Sequence, residues 1–294
     1  MVRMSPVSPA PVRSVPSSDG VTVALHDLGG AGPPVLCAHP TGFLAMTWAP
    51  LAAELAPRAH CWALDFRGHG ASTAPASGDY DWTGMADDVL AVVDDLAAAG
   101  VTGLAGVGHS MGGAALVMAE QRRPGTFRAL WLYEPIIVPT ANPIESPIGS
   151  NPMAATARRR RPWFPDRAAA YDNFAAKPPL SRMTPAALSA YVEYGLRDRS
   201  DGGEGVELAC TPETEARVFE GAWGHDTFGH LGAVACPVTV AVGGDDSPPA
   251  RFAAMVADAL PHGRLEEHPQ LSHFGPMEDP AAMADAVATD LGLA

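Results

Sequence analysis

Short apolar runs alternate along this chain with stretches of helical periodicity, and this alternation restricts the possible fold more than any other feature. Runs such as 35–38 and 238–242 consist almost entirely of apolar residues, which is typical of strands buried on both faces of a sheet. Helical patterns, including residues 85–99, separate the runs. Because parallel strands are joined by crossovers that are usually helices, the sequence predicts an α/β protein with a mostly parallel sheet and helices on both faces.

The alternation stops between about residues 139 and 228. This segment is rich in proline and aromatic residues, and helical patterns occupy residues 167–174 and 185–194. A structureless loop of such length is uncommon inside a compact domain. We therefore expect a mobile tail at 1–18, a core formed by 19–138 and 229–294, and an inserted helical cap domain at 139–228.

The charge of the chain limits its partners. Its 294 residues include 33 acidic and 19 basic side chains, which give a formal net charge of −14. Such a charge disfavours association with nucleic acid or with anionic membranes. The run Arg158-Arg159-Arg160-Arg161 is the exception. We interpret it as a solvated face in preference to an anion site.

The cysteines and the amino-terminal residues bear on where the protein works. The four cysteines lie far apart with no Cys-x-x-Cys pair, which favours reduced thiols. No apolar stretch reaches the ~18 residues that a membrane helix needs. Residues 1–18 also lack the apolar region of a secretory signal. The sequence therefore predicts a cytoplasmic protein.

One short motif indicates nucleophilic catalysis. Gly108-His109-Ser110-Met111-Gly112 follows a predicted strand at 104–107 and precedes a predicted helix at 111–121. In such a strand–turn–helix context, a serine between small residues sits on a sharp turn and exposes its hydroxyl group. The carboxyl edge of an open α/β sheet is also where ligands bind. Ser110 is therefore the candidate nucleophile.

Four separate stretches, taken together, resemble the α/β-hydrolase fold superfamily. They are His39-Pro40-Thr41-Gly42-Phe43, Asp65-Phe66-Arg67-Gly68-His69-Gly70-Ala71-Ser72, the Ser110 motif, and Ser272-His273-Phe274-Gly275-Pro276-Met277-Glu278. The resemblance implies a mostly parallel eight-stranded sheet and a serine hydrolase with a catalytic triad. It also implies that the backbone N–H groups of Thr41 and Met111 form the oxyanion hole, with Phe43 as an alternative to Thr41. Pro40 stands where the family usually has glycine.

The sequence offers one candidate for the general base and several for its carboxylate partner. Among ten histidines, His273 follows the last predicted strand on the catalytic rim, so it is the candidate base. Glu134 lies 24 residues past Ser110, at a position that resembles the acid of zearalenone lactonases and of some haloalkane dehalogenases. Asp246 follows the predicted strand 238–242, where most of the family carries its acid. We favour Glu134, keep Asp246 as the alternative and place Asp245 third.

A serine nucleophile implies acyl transfer, with a carboxylic ester or a lactone as the favoured substrate. Carbon–carbon or thioester hydrolysis could use the same residues, and a non-catalytic ligand-binding protein or a cofactor-free oxygenase could use the same fold. Aromatic residues of the cap favour an apolar pocket for a fairly large ligand, and we expect the partner to be an apolar, ester- or lactone-like small molecule. We expect no cofactor and no metal, since His225 and His230 have no third ligand at suitable spacing. The sequence leaves open whether the protein forms a homodimer.

Overall fold

The computed structural model describes residues 13–139, 151–244 and 249–293. Strands in these residues are β1 (Arg13–Pro16), β2 (Thr22–Gly30), β3 (Pro34–Ala38), β4 (His60–Asp65), β5 (Ala105–His109), β6 (Leu130–Tyr133), β7 (Trp163–Phe164), β8 (Leu196–Asp198), β9 (Val206–Leu208), β10 (Val238–Val242) and β11 (Gly263–Glu267). The main sheet has eight strands in the order β1-β2-β4-β3-β5-β6-β10-β11. From β4 to β11 all neighbours are parallel, whereas β2 runs antiparallel to both β1 and β4. This is the predicted mostly parallel, eight-stranded sheet.

Helices connect and flank these strands. They are α1 (Ala49–Leu55), α2 (Trp82–Ala98), α3 (Met111–Arg122), α4 (Pro152–Arg158), α5 (Arg167–Ala175), α6 (Pro185–Gly195), α7 (Pro212–Glu220), α8 (Ala250–Ala259), α9 (Gly275–Glu278) and α10 (Pro280–Asp290). None of the helices in the described ranges is both long enough and apolar enough to cross a membrane. The four cysteines are free and buried, and the location in the cytoplasm stays a prediction.

The sheet is covered on both faces because successive side chains of a strand point in opposite directions. Leu36 of β3 packs in one core with Met85 of α2. Helices α3 and α8 pack on the same face of the sheet as α2. Its neighbour Val35 packs in the second core with Leu51 of α1 and Val287 of α10. Two apolar layers thus hold the central strands, as the near-continuous apolar runs predict.

Between β6 and β10 lies a stretch that we call the inserted segment (residues 151–234). Helices α4 to α7 lie here, together with a small antiparallel sheet in the order β7-β9-β8. Phe164, Phe174 and Tyr191 form its core with Phe43 and Met277 of the main domain. The predicted helices at 167–174 and 185–194 are α5 and α6. Strands of two or three residues are too short to show a period, so the sequence does not predict the small sheet.

The amino-terminal part differs from the expected mobile tail at 1–18. Residues 13–16 form the edge strand β1, and Arg13 makes an ion pair with Asp95 of α2 at 2.8 Å. The hydroxyl group of Ser17 donates to Asp88 at 2.6 Å. These contacts are with residues more than 70 positions away, which local composition does not reveal. Residues 1–12 lie outside the described residues.

Candidate active site

Ser110 occupies a sharp turn between β5 and α3. Its backbone has φ 54° and ψ −116°, a region that costs a non-glycine residue free energy and is found mainly at functional sites. The N–H group of Ser110 donates to the Tyr133 carbonyl at 2.9 Å, and its own carbonyl accepts from Ala114 at 3.2 Å and from Ile136 at 3.3 Å. These hydrogen bonds hold the strained turn in place.

The glycines around Ser110 permit two close backbone approaches. A Cβ atom on Gly112 would lie 2.2 Å from the carbonyl oxygen of Ala38, and one on Gly108 would lie 2.7 Å from the Cα atom of Gly113. Contacts this short exclude any side chain. The amino terminus of α3 can therefore press against the end of β3, where the loop that carries Thr41 begins.

Glu134 lies directly after β6 and is fully buried. Its backbone also has a positive φ of 44°, and its N–H group donates to Ala241 of β10 at 2.8 Å. One carboxylate oxygen, Oε1, accepts from the Gly243 N–H group at 2.8 Å, and the other, Oε2, lies 2.5 Å from Nδ1 of His273. A carboxylate at Nδ1 favours the tautomer that keeps the proton there and leaves Nε2 free to accept one.

The loop that carries His273 is tied to the sheet. The hydroxyl group of Tyr133 donates to the Ser272 carbonyl at 2.7 Å, and the N–H group of Ser272 donates to Glu278 at 2.9 Å. A Cβ atom on Gly275 would lie 2.3 Å from the Tyr133 hydroxyl oxygen. Tyr133 immediately precedes Glu134, so one strand end fixes both the loop and its carboxylate partner.

Ser110 and His273 line the same two cavities. The larger has a volume of about 510 Å³ and the smaller about 280 Å³. Thr41, Ser110, Met153, Phe219 and His273 belong to the walls of both. Apolar side chains such as Ile137, Ala222 and Trp223 line most of the smaller one. The structure thus brings the predicted nucleophile and base together where the two cavities meet.

The structure also brings Thr41 and Met111 together. The hydroxyl group of Thr41 donates to the sulfur of Met111 at 3.5 Å, so the loop after β3 contacts the first residue of α3. The N–H group of Phe43 donates to the Pro40 carbonyl at 3.2 Å. This turn occupies the N–H group of Phe43, which favours Thr41 over Phe43 as an oxyanion donor.

Two buried histidines that the sequence assigns no catalytic role hold this loop. His39 donates from Nδ1 to the Pro40 carbonyl at 2.8 Å and accepts at Nε2 from the Phe66 N–H group at 3.0 Å. The N–H group of Gly42 donates to Nε2 of His69 at 3.1 Å. Both rings are therefore needed uncharged, as acceptors. Burial is the main cause that lowers the pKa of His39 to about 3, and it also lowers the pKa of His69.

These histidines make the stability of the fold depend on pH. Their pKa values in the folded state lie below the 6.5 of an unperturbed histidine, so the unfolded chain binds more protons and stability falls as the pH falls below 6.5. His39, whose pKa falls to about 3, should lower the free energy of unfolding by up to about 1.4 kcal/mol per pH unit as the pH falls from 6.5 towards about 5, and His69 should act in the same direction. Urea unfolding across this interval measures the slope.

The matched variant for this measurement is His69→Gln. A glutamine carbonyl can accept the Gly42 hydrogen bond without titrating, so the slope should become flatter. A stability that stays constant or rises from pH 6.5 to about 5 would contradict the uncharged state of these rings.

The alternative acids Asp246 and Asp245 lie outside the described residues. His225 and His230 flank a separate cavity of about 260 Å³, and His225 stacks on Trp82 with ring centroids 5.5 Å apart. Within the ranges that the structure describes, no three histidine, cysteine or acidic side chains cluster as metal ligands would.

Comparisons with known proteins extend this description. A family model described as the alpha/beta hydrolase family matches residues 35–286. Protein phosphatase methylesterase 1 from Bos taurus is 37% identical to the chain over 98 residues, a match that covers 33% of this chain and 26% of the methylesterase. The chain thus matches only about a quarter of the length of that relative.

Solved structures resemble the whole chain. E-2-(acetamidomethylene)succinate hydrolase superposes with a TM-score of 0.77 at 23% identity, over 95% of this chain and 98% of that one. A thermophilic esterase from Thermogutta terrifontis superposes with a TM-score of 0.71 at 23% identity, over 95% and 97% of the two chains. At these identities the likeness shows the fold alone. Since the family model spans well over half of its residues, the chain belongs to the alpha/beta hydrolase family.

Proposed function

We propose that this protein is a serine hydrolase that cleaves a carboxylic ester or a lactone through an acyl-enzyme intermediate. Ser110 is the nucleophile, His273 the general base and Glu134 the carboxylate that orients it. The backbone N–H groups of Thr41 and Met111 are the oxyanion donors. The observation that carries the proposal is the 2.5 Å contact between Glu134 and Nδ1 of His273, on a histidine that shares cavity walls with Ser110.

Each residue has one task in this mechanism. As the Ser110 Oγ atom bonds to the substrate carbonyl carbon, Nε2 of His273 takes the hydroxyl proton, and Glu134 stabilises the resulting imidazolium. The charge that develops on the carbonyl oxygen is met by the Thr41 and Met111 N–H groups. Collapse of the intermediate releases the alcohol, which takes the proton from His273. A water molecule then gives one proton to His273 and attacks the acyl carbon, and His273 returns that proton to the Oγ atom of Ser110 as the acyl–oxygen bond breaks and the acid leaves.

The walls of the site favour an ester with an apolar part. The smaller cavity is lined mainly by side chains such as Ile136, Val138 and Phe252, which suit an apolar group. The inserted segment supplies Met153 and Phe219 to both cavities, and we propose that it acts as a cap that selects the substrate. The name of the methylesterase among the similar proteins supports the choice of an ester.

A fluorophosphonate probe tests the proposal, because it reacts with a serine only when a base activates the hydroxyl group. We expect the probe to modify Ser110, as located by peptide mapping, and to leave the urea-unfolded chain unmodified. We also expect turnover of 4-nitrophenyl esters or of lactones in a substrate panel. Absence of labelling would contradict the role of Ser110. Labelling with no turnover of any ester or lactone would instead favour a ligand-binding protein.

A further inference from the structure

The larger cavity has a charge opposite to that of the protein as a whole. Four of the 19 basic residues of this chain belong to its wall, namely Arg159, Arg160, Arg161 and Lys177. Among the described residues of the wall, one side chain is acidic, that of Glu215. The chain carries a formal net charge of −14, so chance alone would make an acidic wall more common. Residues 158–161 are predicted to form a solvated face; Arg159 and Arg161 are indeed exposed, and together with Arg160 they also line the cavity.

Arg160 is not available to a ligand as a free charge. Its guanidinium forms an ion pair with Glu215 and donates to the hydroxyl group of Tyr191 at 2.6 Å. Glu215 in turn packs against Gly42, where a Cβ atom would lie 2.7 Å from Oε1. This pair is internally neutralised, so it forms part of the wall beside the Thr41 loop.

Among the described residues, Arg159 and Lys177 contact only uncharged acceptors. Arg159 donates to the hydroxyl group of Thr156 at 3.2 Å, and Lys177 donates to the amide oxygen of Asn173 at 3.2 Å. Both acceptors are uncharged, and in the described part of the chain neither cation has a carboxylate within 4.0 Å. Arg158, by contrast, pairs with both Glu213 and Glu220.

We propose that the larger cavity binds a carboxylate group of the substrate through Arg159 and Lys177. The substrate class is then an ester or lactone with an anionic group on one side of the scissile carbonyl and an apolar group on the other. A guanidinium and an ammonium group are the side chains that bind carboxylates through charge-assisted hydrogen bonds. This proposal rests on the proposed function, because Ser110 must act where the two cavities meet.

The test compares esters that differ by one carboxylate. The first pair is 4-nitrophenyl hydrogen glutarate and 4-nitrophenyl pentanoate. The glutarate ester carries a carboxylate at the end of its acyl chain, and the pentanoate ester carries a methyl group there. The second pair is 3-carboxyphenyl acetate and phenyl acetate, which differ by a carboxylate on the alcohol side. In at least one pair we expect kcat/KM to be higher for the anionic ester, by roughly 10-fold, a size typical of a charged hydrogen bond.

The double variant Arg159→Gln/Lys177→Gln should remove this preference. It should lower kcat/KM for the preferred anionic ester roughly 10-fold or more while changing the neutral ester less than about 3-fold. Arg182→Gln is the matched control, since Arg182 is exposed in the same segment and lies outside the cavity wall. It removes a positive charge and should leave both rates unchanged.

The salt dependence of kcat/KM is a further measurement, and it should not change if Arg159 and Lys177 have only a structural role. Raising the ionic strength from about 0.01 M to about 1 M shortens the screening length from roughly 30 Å to roughly 3 Å. The preference of the unaltered enzyme for the anionic ester should shrink accordingly. The double variant should show a clearly weaker dependence, because among the described cations of the wall Arg161 alone remains without a carboxylate partner. Both cations are exposed, so the variant should keep its thermal unfolding midpoint.

The outcomes separate the two proposals. If the unaltered enzyme and the double variant hydrolyse the neutral esters alike, and neither pair shows a preference for the anionic member that the variant loses, the carboxylate site is wrong and the serine hydrolase stands. If no ester is hydrolysed and the fluorophosphonate does not label Ser110, the proposed function itself fails.

Discussion

Glu134→Gln is expected to lower kcat/KM by about 10⁴-fold with little change in KM. The glutamine amide would present N–H groups to Nδ1 of His273, or an oxygen that no longer carries charge. The imidazole would then favour the tautomer with its proton on Nε2, where it cannot accept the proton of Ser110. Loss of the carboxylate also removes the charge that stabilises the imidazolium. Steady-state kinetics on a 4-nitrophenyl ester measure this loss.

Two comparisons make the Glu134 result specific. Asp246→Asn, at the alternative acid, should lower kcat/KM less than about 3-fold, and the reverse ranking of these variants would overturn the assignment of Glu134. Glu120→Gln controls for burial, because Glu120 is also fully buried and accepts backbone hydrogen bonds from Gly125 at 2.7 Å and Phe127 at 3.0 Å. It should lower stability while leaving kcat/KM of the folded protein close to that of the unaltered chain.

Ser110→Ala should lower kcat by about 10⁶-fold, the size found when a hydrolase loses its nucleophile. Alanine adopts the same turn and removes one oxygen atom, so the variant should fold and still bind substrate. The burst of product that accompanies acyl-enzyme formation should disappear in rapid-mixing experiments. Ser181→Ala is the matched control, since Ser181 is exposed and absent from both cavity walls. A Ser110→Ala variant that retains more than about 1% of the activity would contradict a covalent mechanism.

Most of the main sheet follows from local patterns. The predicted strand at 238–242 coincides with β10, and the predicted helix at 111–121 differs from α3 by one residue. Strand β2 escapes prediction because His26 and Asp27 interrupt its apolar run, and His26 instead contacts the buried Asp65 at 3.0 Å. A polar residue in a strand is tolerated only when its partner is supplied from elsewhere in the fold.

In the candidate site, too, some residues can be recognised from local sequence and others cannot. Ser110 is recognisable because the tight turn and the close approach of α3 impose glycines at fixed positions around it. For the carboxylate partner of His273, the sequence favours Glu134 but does not decide between it and Asp246, because both follow strands that end at the same edge of a parallel sheet. The bond between Glu134 and His273 joins residues 139 positions apart. It depends on the register of β6 beside β10 and on the loop that Tyr133 fixes.

The sequence alone therefore determined the α/β class, most of the main sheet and the turn at Ser110, since each is encoded by the spacing of residues that are near one another in the chain. Only the tertiary structure decided which charges meet. It placed Glu134 at Nδ1 of His273, paired Arg160 with Glu215, and left Arg159 and Lys177 on a cavity wall. The physical reason is that burial and pairing of a charge depend on segments far apart in the chain. The local periodicity of apolar residues does not indicate which of these segments come together.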